Sequence, residues 1–410
     1  MTSCITYIVA DNFLKFNGKI GFVLPQTLFK SKGGGDGFRR FEIENNFYFN
    51  VISVDDMVSL QPFDASNKTS VFIAKKSKTP NKYPVKYYKW TKNKGYTANS
   101  RHTLEIISAN VNIEEQVAIP IEKGKPSSPW LSGEQSVVNK LHKLVGTSHY
   151  RARKGVDTSL NQVFWVKAIQ AKGKLVQVHN CQSRGRTKVR QRTDIWVEKE
   201  SLYPVLRGQN FTRWKYEIDL DQILLYDVNT GKPLDRSAAN KIFPKAVKYF
   251  STSDYVPLLE KRAIYQKHLS QYPNYSCFDI GPYSFSEFKV VWKALASRMQ
   301  SCVVSRHEKR IIIPDHNVMM IPLDDEKEAF YLAGILNSRL ATLFVTSYVE
   351  WFFSTHILEY FQVPKFNNKV KLHNLICDLS TKAHKETDLT NLKALEKELD
   401  KAVDALFDYL

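Results

Sequence analysis

The chain has 410 residues, of which 43% are hydrophobic, 24% charged and 12% aromatic. This composition supports a substantial folded core, and it excludes wholesale disorder and a collagen-like repeat. The formal net charge is +18, so the distribution of the cations bears directly on function.

The positive charge is concentrated in two segments. The first basic segment, residues 75–101, contains nine Lys/Arg and no Asp/Glu, and the second, residues 151–192, contains eleven Lys/Arg and a single acid, Asp157. The rest of the chain is nearly neutral. Tyrosines and Trp90 are interleaved with the first group of cations, and Phe164 and Trp165 lie within the second segment. Clustered cations neutralise phosphates, so both segments predict nucleic-acid contact. The alternative is a solvated basic face over an aromatic core.

The longest apolar stretch, around residues 330–353, is interrupted by Asn337, Arg339 and Glu350. It therefore lacks the roughly 18-residue uncharged span that crosses a bilayer. No cationic segment precedes the first short apolar run, as a secretory leader requires. The five cysteines are scattered without zinc-site spacing. These patterns predict a cytoplasmic protein with reduced thiols, no bound metal and no membrane partner.

The first elements predicted along the chain alternate between strands and helices. Residues 18–25, 46–54 and 69–76 are short apolar or aromatic runs typical of strands, and a helix is expected between the first two. This rhythm is typical of an α/β sheet. Three strands are fewer than the roughly six of a complete doubly wound domain.

The composition changes after residue 78 and again near residue 150. Lys, Tyr, Asn and Pro dominate up to residue 150, which indicates a connector with an amphipathic helix at 133–145. Short aromatic strands then indicate a mixed α+β domain with a late helix at 326–349, and a leucine-rich face predicts a C-terminal helix. The predicted fold class is thus α/β followed by α+β, with domains at 1–90, 91–149 (connector), 150–365 and 366–410.

Two local patterns imitate catalytic or binding motifs. Residues 33–37 contain four glycines, but they lack the Lys-Ser/Thr pair and the spacing of a nucleotide-binding loop, which favours a flexible loop. Asp315 is followed by Asp325, Glu326 and Lys327, an imitation of a nuclease metal site. A turn followed by an acidic helix start is the preferred interpretation.

Four segments in residues 18–76 carry a resemblance to a known family: GKIGFVLPQTLFKS, GFRRF, ISVDDM and LQPFDASNKTSVFIAKK. Their order resembles the second half of the catalytic domain of adenine-specific (N6) DNA methyltransferases of the type IIG and type I restriction-modification family. The resemblance implies the later strands of a Rossmann-like sheet and part of a pocket for an extruded adenine. It also makes Phe63 a candidate for stacking on that base, the alternative being a loop aromatic that caps the sheet.

The rest of the chain resembles the TaqI-like C-terminal target-recognition domain of the same enzymes. The segments that carry this resemblance are ARKGVDTSLNQVFWV, EKESLYPVLRGQNFTRWK, FKVVWKAL, HNVMMIPLDDEKEAFYLAGILNSRLA and HILEYFQVPKF. Double-stranded DNA is the implied partner. The candidate DNA contacts are cations of the second basic segment: Arg151, Arg153, Lys154, Lys172, Lys174, Arg184, Arg186, Lys188, Arg190 and Arg192.

The family's catalytic tetrapeptide, Asn/Asp-Pro-Pro-Tyr/Phe, does not occur in this sequence. The nearest string, Tyr272-Pro273-Asn274-Tyr275, has one proline and lies in the recognition half. The glycine-rich turn that binds S-adenosylmethionine in the family is also missing, so this cofactor is expected only for the complete enzyme. We therefore expect a C-terminal piece that binds DNA, contains no catalytic residue and is inactive alone. The alternatives are assembly in trans with a separate N-terminal methyltransferase polypeptide, a stand-alone specificity subunit, and an inactive remnant.

Overall fold

The computed structural model describes residues 2–63, 68–99, 101–183, 185, 187–349 and 352–408. The chain forms two compact units. The first unit comprises Met1–Thr147, Phe344–Glu350 and Tyr360–Gln362, and the second comprises Ser148–Leu343, Trp351–Glu359 and Val363–Leu410. The chain thus enters the first unit three times.

The first unit is built on one sheet. Its strands are β1 (Lys19–Pro25), β2 (Glu42–Ile43), β3 (Phe47–Asp56), β4 (Thr69–Ser77), β5 (Val85–Lys92), β6 (Val111–Pro120) and β7 (Trp130–Gly133). Its helices are α1 (Thr2–Phe13), α2 (Thr27–Lys30), α3 (Asp36–Arg39), α4 (Leu104–Ala109) and α5 (Gln135–Lys143).

The strands of this sheet follow the order β1-β4-β3-β5-β6-β7, with β2 paired to β3. Strand β4 is antiparallel to both β1 and β3, so β1 and β3 run in the same direction, and β3 is parallel to β5. The core of the unit includes Phe29, Phe49, Phe72 and Trp130, all fully buried. Helices α1 to α3 contribute to this core.

The predicted strands at 18–25, 46–54 and 69–76 are confirmed as β1, β3 and β4. The segment expected to be a connector differs, because β6 and β7 continue the same sheet beyond β5. A domain boundary at residue 90 would cut β5. Val85 and Tyr87 are buried while Lys86 and Lys89 are exposed, so the Lys/Tyr-rich composition is that of a half-buried strand.

The second unit contains three sheets and most of the helices. Its strands are β8 (Arg153–Lys154), β9 (Trp165–Lys172), β10 (Leu175–Asn180), β11 (Ile195–Glu198), β12 (Leu202–Leu206), β13 (Asp221–Ile223), β14 (Phe288–Lys293), β15 (Ser301–Val304), β16 (Arg306–His307), β17 (Arg310–Ile311), β18 (Ile313–Pro314) and β19 (Val318–Leu323). Its helices are α6 (Asn161–Phe164), α7 (Arg236–Ile242), α8 (Pro244–Phe250), α9 (Val256–Glu260), α10 (Glu326–Asn337), α12 (Lys371–Lys385) and α13 (Leu389–Asp408), and α11 (Arg339–Tyr348) starts here and ends in the first unit.

A six-stranded sheet of order β11-β10-β9-β13-β12-β18 contains β9 and β10, the two longest strands of the second basic segment. A four-stranded sheet has the order β15-β14-β19-β8, and β16 pairs with β17. The core under the first of these sheets includes Val176, Val178, Ile195 and Val197. The alternation of buried residues along β10 leaves Leu175, Gln177 and His179 on the other face.

The predicted helix at 326–349 is present as two helices, α10 and α11. The break falls at Ser338, whose backbone is extended and whose Oγ accepts a hydrogen bond from the Ala341 amide (3.1 Å). Asn337 bonds both backbone groups of Ser301 at 2.8 Å, so the end of α10 is tied to β15. Among the described residues no single helix is long and apolar enough to cross a membrane. The pair α10–α11 meets that test only together and is bent by 62°.

Candidate nucleic-acid interface

The β9–β10 hairpin is the most exposed regular element of the second basic segment. Residues 167–174 are all exposed, although they form two paired strands and a tight turn. Gly173, at the first position of the turn, has φ +61°, which suits a two-residue hairpin turn. The hairpin carries Lys167, Lys172 and Lys174, and residues 165–180 contain no acid.

The loop that follows the hairpin, residues 181–192, is called here the basic loop. Its two ends are joined through the fully buried Asn180. Asn180 Nδ2 donates to the carbonyl oxygens of Gln162 (2.9 Å) and Arg190 (3.2 Å), and its Oδ1 accepts from the Arg192 amide (2.7 Å). Tyr255 adds a bond from its hydroxyl to the Arg190 carbonyl (3.1 Å). The end of the loop at Arg190 and Arg192 is therefore held in place, while Lys188 and Arg190 are exposed and Val189 is buried.

Five of the ten predicted DNA contacts are exposed cations. They are Arg151, Lys172, Lys174, Lys188 and Arg190. Four of them lie on the hairpin or the basic loop, which are consecutive in the chain and joined at Asn180. These two elements therefore bring the exposed cations of one stretch of sequence onto neighbouring parts of the second unit.

Three further candidates are engaged in contacts within the protein. Arg192 makes two 2.8 Å hydrogen bonds to the carboxylate of Asp254 and lies over the ring of Tyr255. Lys154 lies 3.6 Å from Asp279 and 4.0 Å from Asp157.

The guanidinium of Arg153 stacks 4.8 Å from the ring centroid of Tyr283. Arg153 and Lys154 lie on β8, in a different sheet from the hairpin. The last two candidates, Arg184 and Arg186, lie outside the described residues.

Two clefts adjoin the hairpin and the basic loop. One, of about 450 Å³, lies at the base of the hairpin and is lined by Lys167, His179 and Gln182. The other, of about 580 Å³, is lined by residues that include Trp165, Arg207, Lys293 and Asp315.

Polar groups at the second cleft are largely buried. Arg207 lies over the Trp165 ring, 5.7 Å from its centroid, and burial raises the pKa of Asp315. The buried Nε1 of Trp165 makes no hydrogen bond within the part of the chain that the structure describes. Sequence reasoning did not find this cleft, because Trp165, Arg207 and Asp315 are far apart in the chain.

The first basic segment is less available to a polyanion than its composition indicates. Lys86 lies 3.6 Å from Glu115, and Lys89 pairs in register with Glu114 on β6. Lys76 is buried and donates to the Ala10 carbonyl (2.8 Å). Part of the charge of this segment is therefore balanced by a neighbouring strand that contributes acids from outside residues 75–101.

Phe63, the predicted adenine-pocket aromatic, is 52% exposed in the loop before β4. Residues 64–67, which complete this loop, lie outside the described residues. The role of Phe63 stays a prediction.

A buried polar cluster that sequence reasoning missed lies where β1 and β3 end. The Tyr87 hydroxyl donates to Asp56 Oδ2, and Gln26 Nε2 lies 3.4 Å from both groups. Carboxyl ends of strands are the usual ligand-binding edge of an α/β sheet. The signal in the sequence was Asp56 at the end of an apolar run.

The glycine-rich loop is filled by a side chain of the protein. The buried Arg39 donates to the carbonyl oxygens of Leu28 (2.5 Å), Ser31 (2.9 Å) and Ser127 (2.8 Å). A Cβ on Gly35 would come within 2.2 Å of the Leu28 oxygen. The glycine thus permits close packing with Arg39, and the loop does not fit S-adenosylmethionine.

The acids of the nuclease-like spacing have separate structural roles. Asp325 accepts from the Glu328 amide (2.7 Å) as the N-cap of α10, whereas Asp315 is buried and accepts from the Asn317 amide (3.0 Å). No group of three or more His, Cys, Asp or Glu residues in the described ranges is placed to hold a metal ion.

Comparison with known proteins relates the chain to the methyltransferases of restriction-modification systems. The Type II methyltransferase M.NspV of Nostoc sp. (strain ATCC 29411 / PCC 7524) is 28% identical over 155 residues, which cover 38% of this chain and 31% of M.NspV. No protein-family model matches the chain.

The fold is similar to part of the type IIL restriction-modification enzyme MmeI, whose structure was solved in complex with DNA. The TM-score is 0.54 at 11% identity, over 96% of this chain and 47% of MmeI. The type IIG restriction endonuclease BpuSI aligns over 96% of this chain and 47% of its own, at 12% identity. Its TM-score of 0.31 is too low to indicate a shared fold. The chain spans less than half the length of these relatives.

Proposed function

We propose that this chain provides DNA target recognition for a site-specific adenine-N6 methyltransferase of a restriction-modification system. The observation that carries the proposal is the surface formed by the β9–β10 hairpin and the basic loop. It presents Lys172, Lys174, Lys188 and Arg190 to solvent on an ordered backbone. Such cations bind phosphates and release counterions. The relation to M.NspV supplies the context of DNA methylation.

The test is binding of the 410-residue chain to duplex DNA at several salt concentrations. If the five exposed cations each contact a phosphate, log K falls with log[salt] with a slope of about −4 to −5, a loss of about 500-fold between 50 and 200 mM salt. Lys188→Ala combined with Arg190→Ala should reduce the magnitude of the slope by about 2.

The matched control removes the same charge elsewhere. Lys393 and Lys397 are exposed on α13, and replacing both with alanine should leave the slope close to that of the wild type. Salt-independent binding, or no binding to duplex DNA, would contradict the proposal.

Catalysis is assigned to a part of the enzyme that carries the tetrapeptide and the S-adenosylmethionine site. In this scheme Phe63 contributes to the adenine pocket of the complete enzyme. Incubation of the chain alone with S-adenosylmethionine and duplex DNA should give no adenine methylation. Turnover in that assay would show that the chain has its own catalytic site.

A second candidate function is that of a specificity subunit or half-enzyme that associates with a separate methyltransferase polypeptide. It is favoured by β1, an edge strand of the sheet in the first unit. The outer edge of β1 has no strand partner among the described residues. Val23 on this strand is exposed, as are Ile5, Ile8 and Phe13 on α1. Open edges and apolar patches are typical of docking surfaces. Co-purification with a methyltransferase polypeptide, and methylation only by the mixture, would distinguish this function from the first.

A further inference from the structure

We propose that the β9–β10 hairpin is the element that enters a DNA groove and that Gln170 reads a base edge there, positioned by Gln177. The inference rests on the proposed DNA-binding function and specifies which residues would determine sequence preference. It concerns glutamines that the charge pattern of the sequence did not single out.

The hairpin has a free edge that a groove can accept. Strand β13 pairs with β9 only at Trp165 and Val166. Beyond Val166 the outer edge of β9 has no strand partner among the described residues. Six residues of extended chain reach about 20 Å. The major groove is about 12 Å wide and admits protein strands. Strand β10 pairs with β11 on its other side, so the part of the hairpin that can enter is the edge strand β9 with its exposed residues 167–174.

The two faces of β10 differ, since alternate residues of this strand are buried. Val176 and Val178 are buried with the strand neighbours of β11, whereas Gln177 and His179 lie on the opposite face. Their partners across the strand pair are Gln170 and Lys167. A register shift between Gln177 and Val178 inserts one extra residue into β9, as in a β-bulge.

The two glutamines hold each other in a fixed arrangement. Gln170 Nε2 donates to Gln177 Oε1 at 2.5 Å, and Gln177 Nε2 donates to the Thr193 carbonyl at 3.3 Å. The Oε1 of Gln170 and its second Nε2–H are then the groups that can contact a base. An amide that presents one acceptor and one donor side by side matches N6 and N7 of adenine. Gln177 thus acts as a positioning residue and Gln170 as the one that touches the base.

The charges around the glutamines favour a DNA backbone on either side. Lys167, Lys172 and Lys174 lie on the hairpin itself.

Two of the carboxylates near the hairpin are engaged in contacts within the protein, whereas Asp194, which follows Thr193, is exposed. Glu198 on β11 accepts from the amides of Lys245 (2.8 Å) and Ala246 (3.1 Å). Asp219, at the cleft beside the hairpin, is bonded by Arg207 and Asn210.

The experiment is selection from a pool of randomised duplex DNA by the 410-residue chain, followed by affinity measurement on single-base variants of the selected site. Gln170→Ala should reduce discrimination at one A·T position by roughly 5- to 150-fold, while the salt slope stays unchanged. Gln170→Glu should shift the preference at that position towards cytosine, since a carboxylate accepts from the cytosine amino group. Gln177→Ala should also weaken discrimination there.

Substitution of the hairpin lysines provides a second measurement. Lys172→Ala combined with Lys174→Ala should weaken binding to all sequences alike and reduce the salt slope by about 2. Gln271→Ala, an exposed glutamine outside the hairpin, is the control for sequence preference. The Lys393→Ala, Lys397→Ala pair is the control for charge.

The outcomes separate this inference from the proposed function. If the wild-type chain does not bind duplex DNA, the proposed function is wrong. If it binds but selects no sequence, target recognition by this chain, and with it the proposed function, is wrong. If it selects a sequence and the Gln170 variants select the same site as the wild type, Gln170 does not read a base and only this inference is wrong. Residues 167–174 are exposed, so the Gln170 and lysine variants should fold, and a thermal unfolding curve checks this.

Discussion

Asn180 is a buried side chain whose contribution is to hold a surface loop. Its amide satisfies two backbone carbonyl oxygens and one backbone N–H from three different residues, two of them at the end of the basic loop. Asn180→Ala removes this partner from the Gln162 carbonyl and the Arg192 N–H, whereas the Arg190 carbonyl keeps its bond from Tyr255. The cost is about 1–3 kcal/mol for each group where water cannot replace the bond. We expect a lower free energy of unfolding in a denaturant titration and weaker DNA binding.

Asn229 is the matched control for this substitution. It is exposed, and only its backbone N–H makes a hydrogen bond in the described contacts, so Asn229→Ala should change neither quantity. DNA affinity at the wild-type level in Asn180→Ala would show that the backbone of the basic loop does not have to be fixed.

Lys289 is a buried lysine whose effect on the free energy of unfolding depends on pH. It is fully buried on β14 and donates to the Ser286 carbonyl (2.6 Å). Burial lowers its pKa to about 7, with Glu287 opposing the shift. Between about pH 7 and the ordinary lysine value near 10, the unfolded chain keeps a proton that the folded chain has released. This group therefore makes stability rise with pH, by up to about 1.4 kcal/mol per pH unit.

Lys289→Met should remove that rise. The difference in the free energy of unfolding between wild type and variant, measured from pH 6 to 9, should shift in favour of the wild type as the pH increases. Lys397→Met, at an exposed position on α13, is the control for replacing a lysine. A constant difference between wild type and Lys289→Met across this range would contradict the prediction.

At the residue scale, the sequence shows which side chains are cations but does not show which of them are exposed and unpaired. Lys172, Lys174, Lys188 and Arg190 were selected for their charge, and the structure leaves them exposed. Arg192 was selected on the same ground but is paired with Asp254. That acid lies far along the chain, and its proximity depends on the tertiary fold.

At the scale of elements, apolar runs predicted strands well, and polar strands were missed. β1, β3 and β4 are bounded apolar segments and were recognised. β5 was missed because lysines occupy its exposed face, and β6 because Glu114 and Glu115 lie in its middle. Burial alternates over Val85–Tyr88 at the start of β5, so alternation there was the usable signal and overall hydrophobicity was not.

The helix predicted at 326–349 shows the limit of periodicity. Apolar spacing continues across Ser338, but two contacts end one helix and begin the next. The Asn337 side chain bonds β15, and the Ala341 amide donates to the Ser338 hydroxyl. Such competition between local caps and helix continuation depends on a partner strand. Sequence spacing alone could place the helical region and not its break.

At the scale of the whole molecule, the net charge of +18 is offset by nearby acids to different degrees in the two units. In the first unit Glu115 offsets part of the charge of its basic segment, whereas the hairpin of the second unit has no acid of its own. The resemblance at the sequence level predicted a relation to the methyltransferases of restriction-modification systems, and the comparison with M.NspV supports that relation. The β9–β10 glutamine pair could not be predicted, because register between strands is set by the fold.

The threefold passage of the chain through the first unit limits how this protein can be recombined. Phe344 and Phe361 are fully buried, stack on each other, and belong to the first unit although they follow most of the second in sequence. A chimaera joined once, at residue 147, would pair these aromatic rings with a foreign scaffold. Transplanting the second unit into another protein would therefore require grafts at both crossover regions, and the version with a single junction should express as insoluble material.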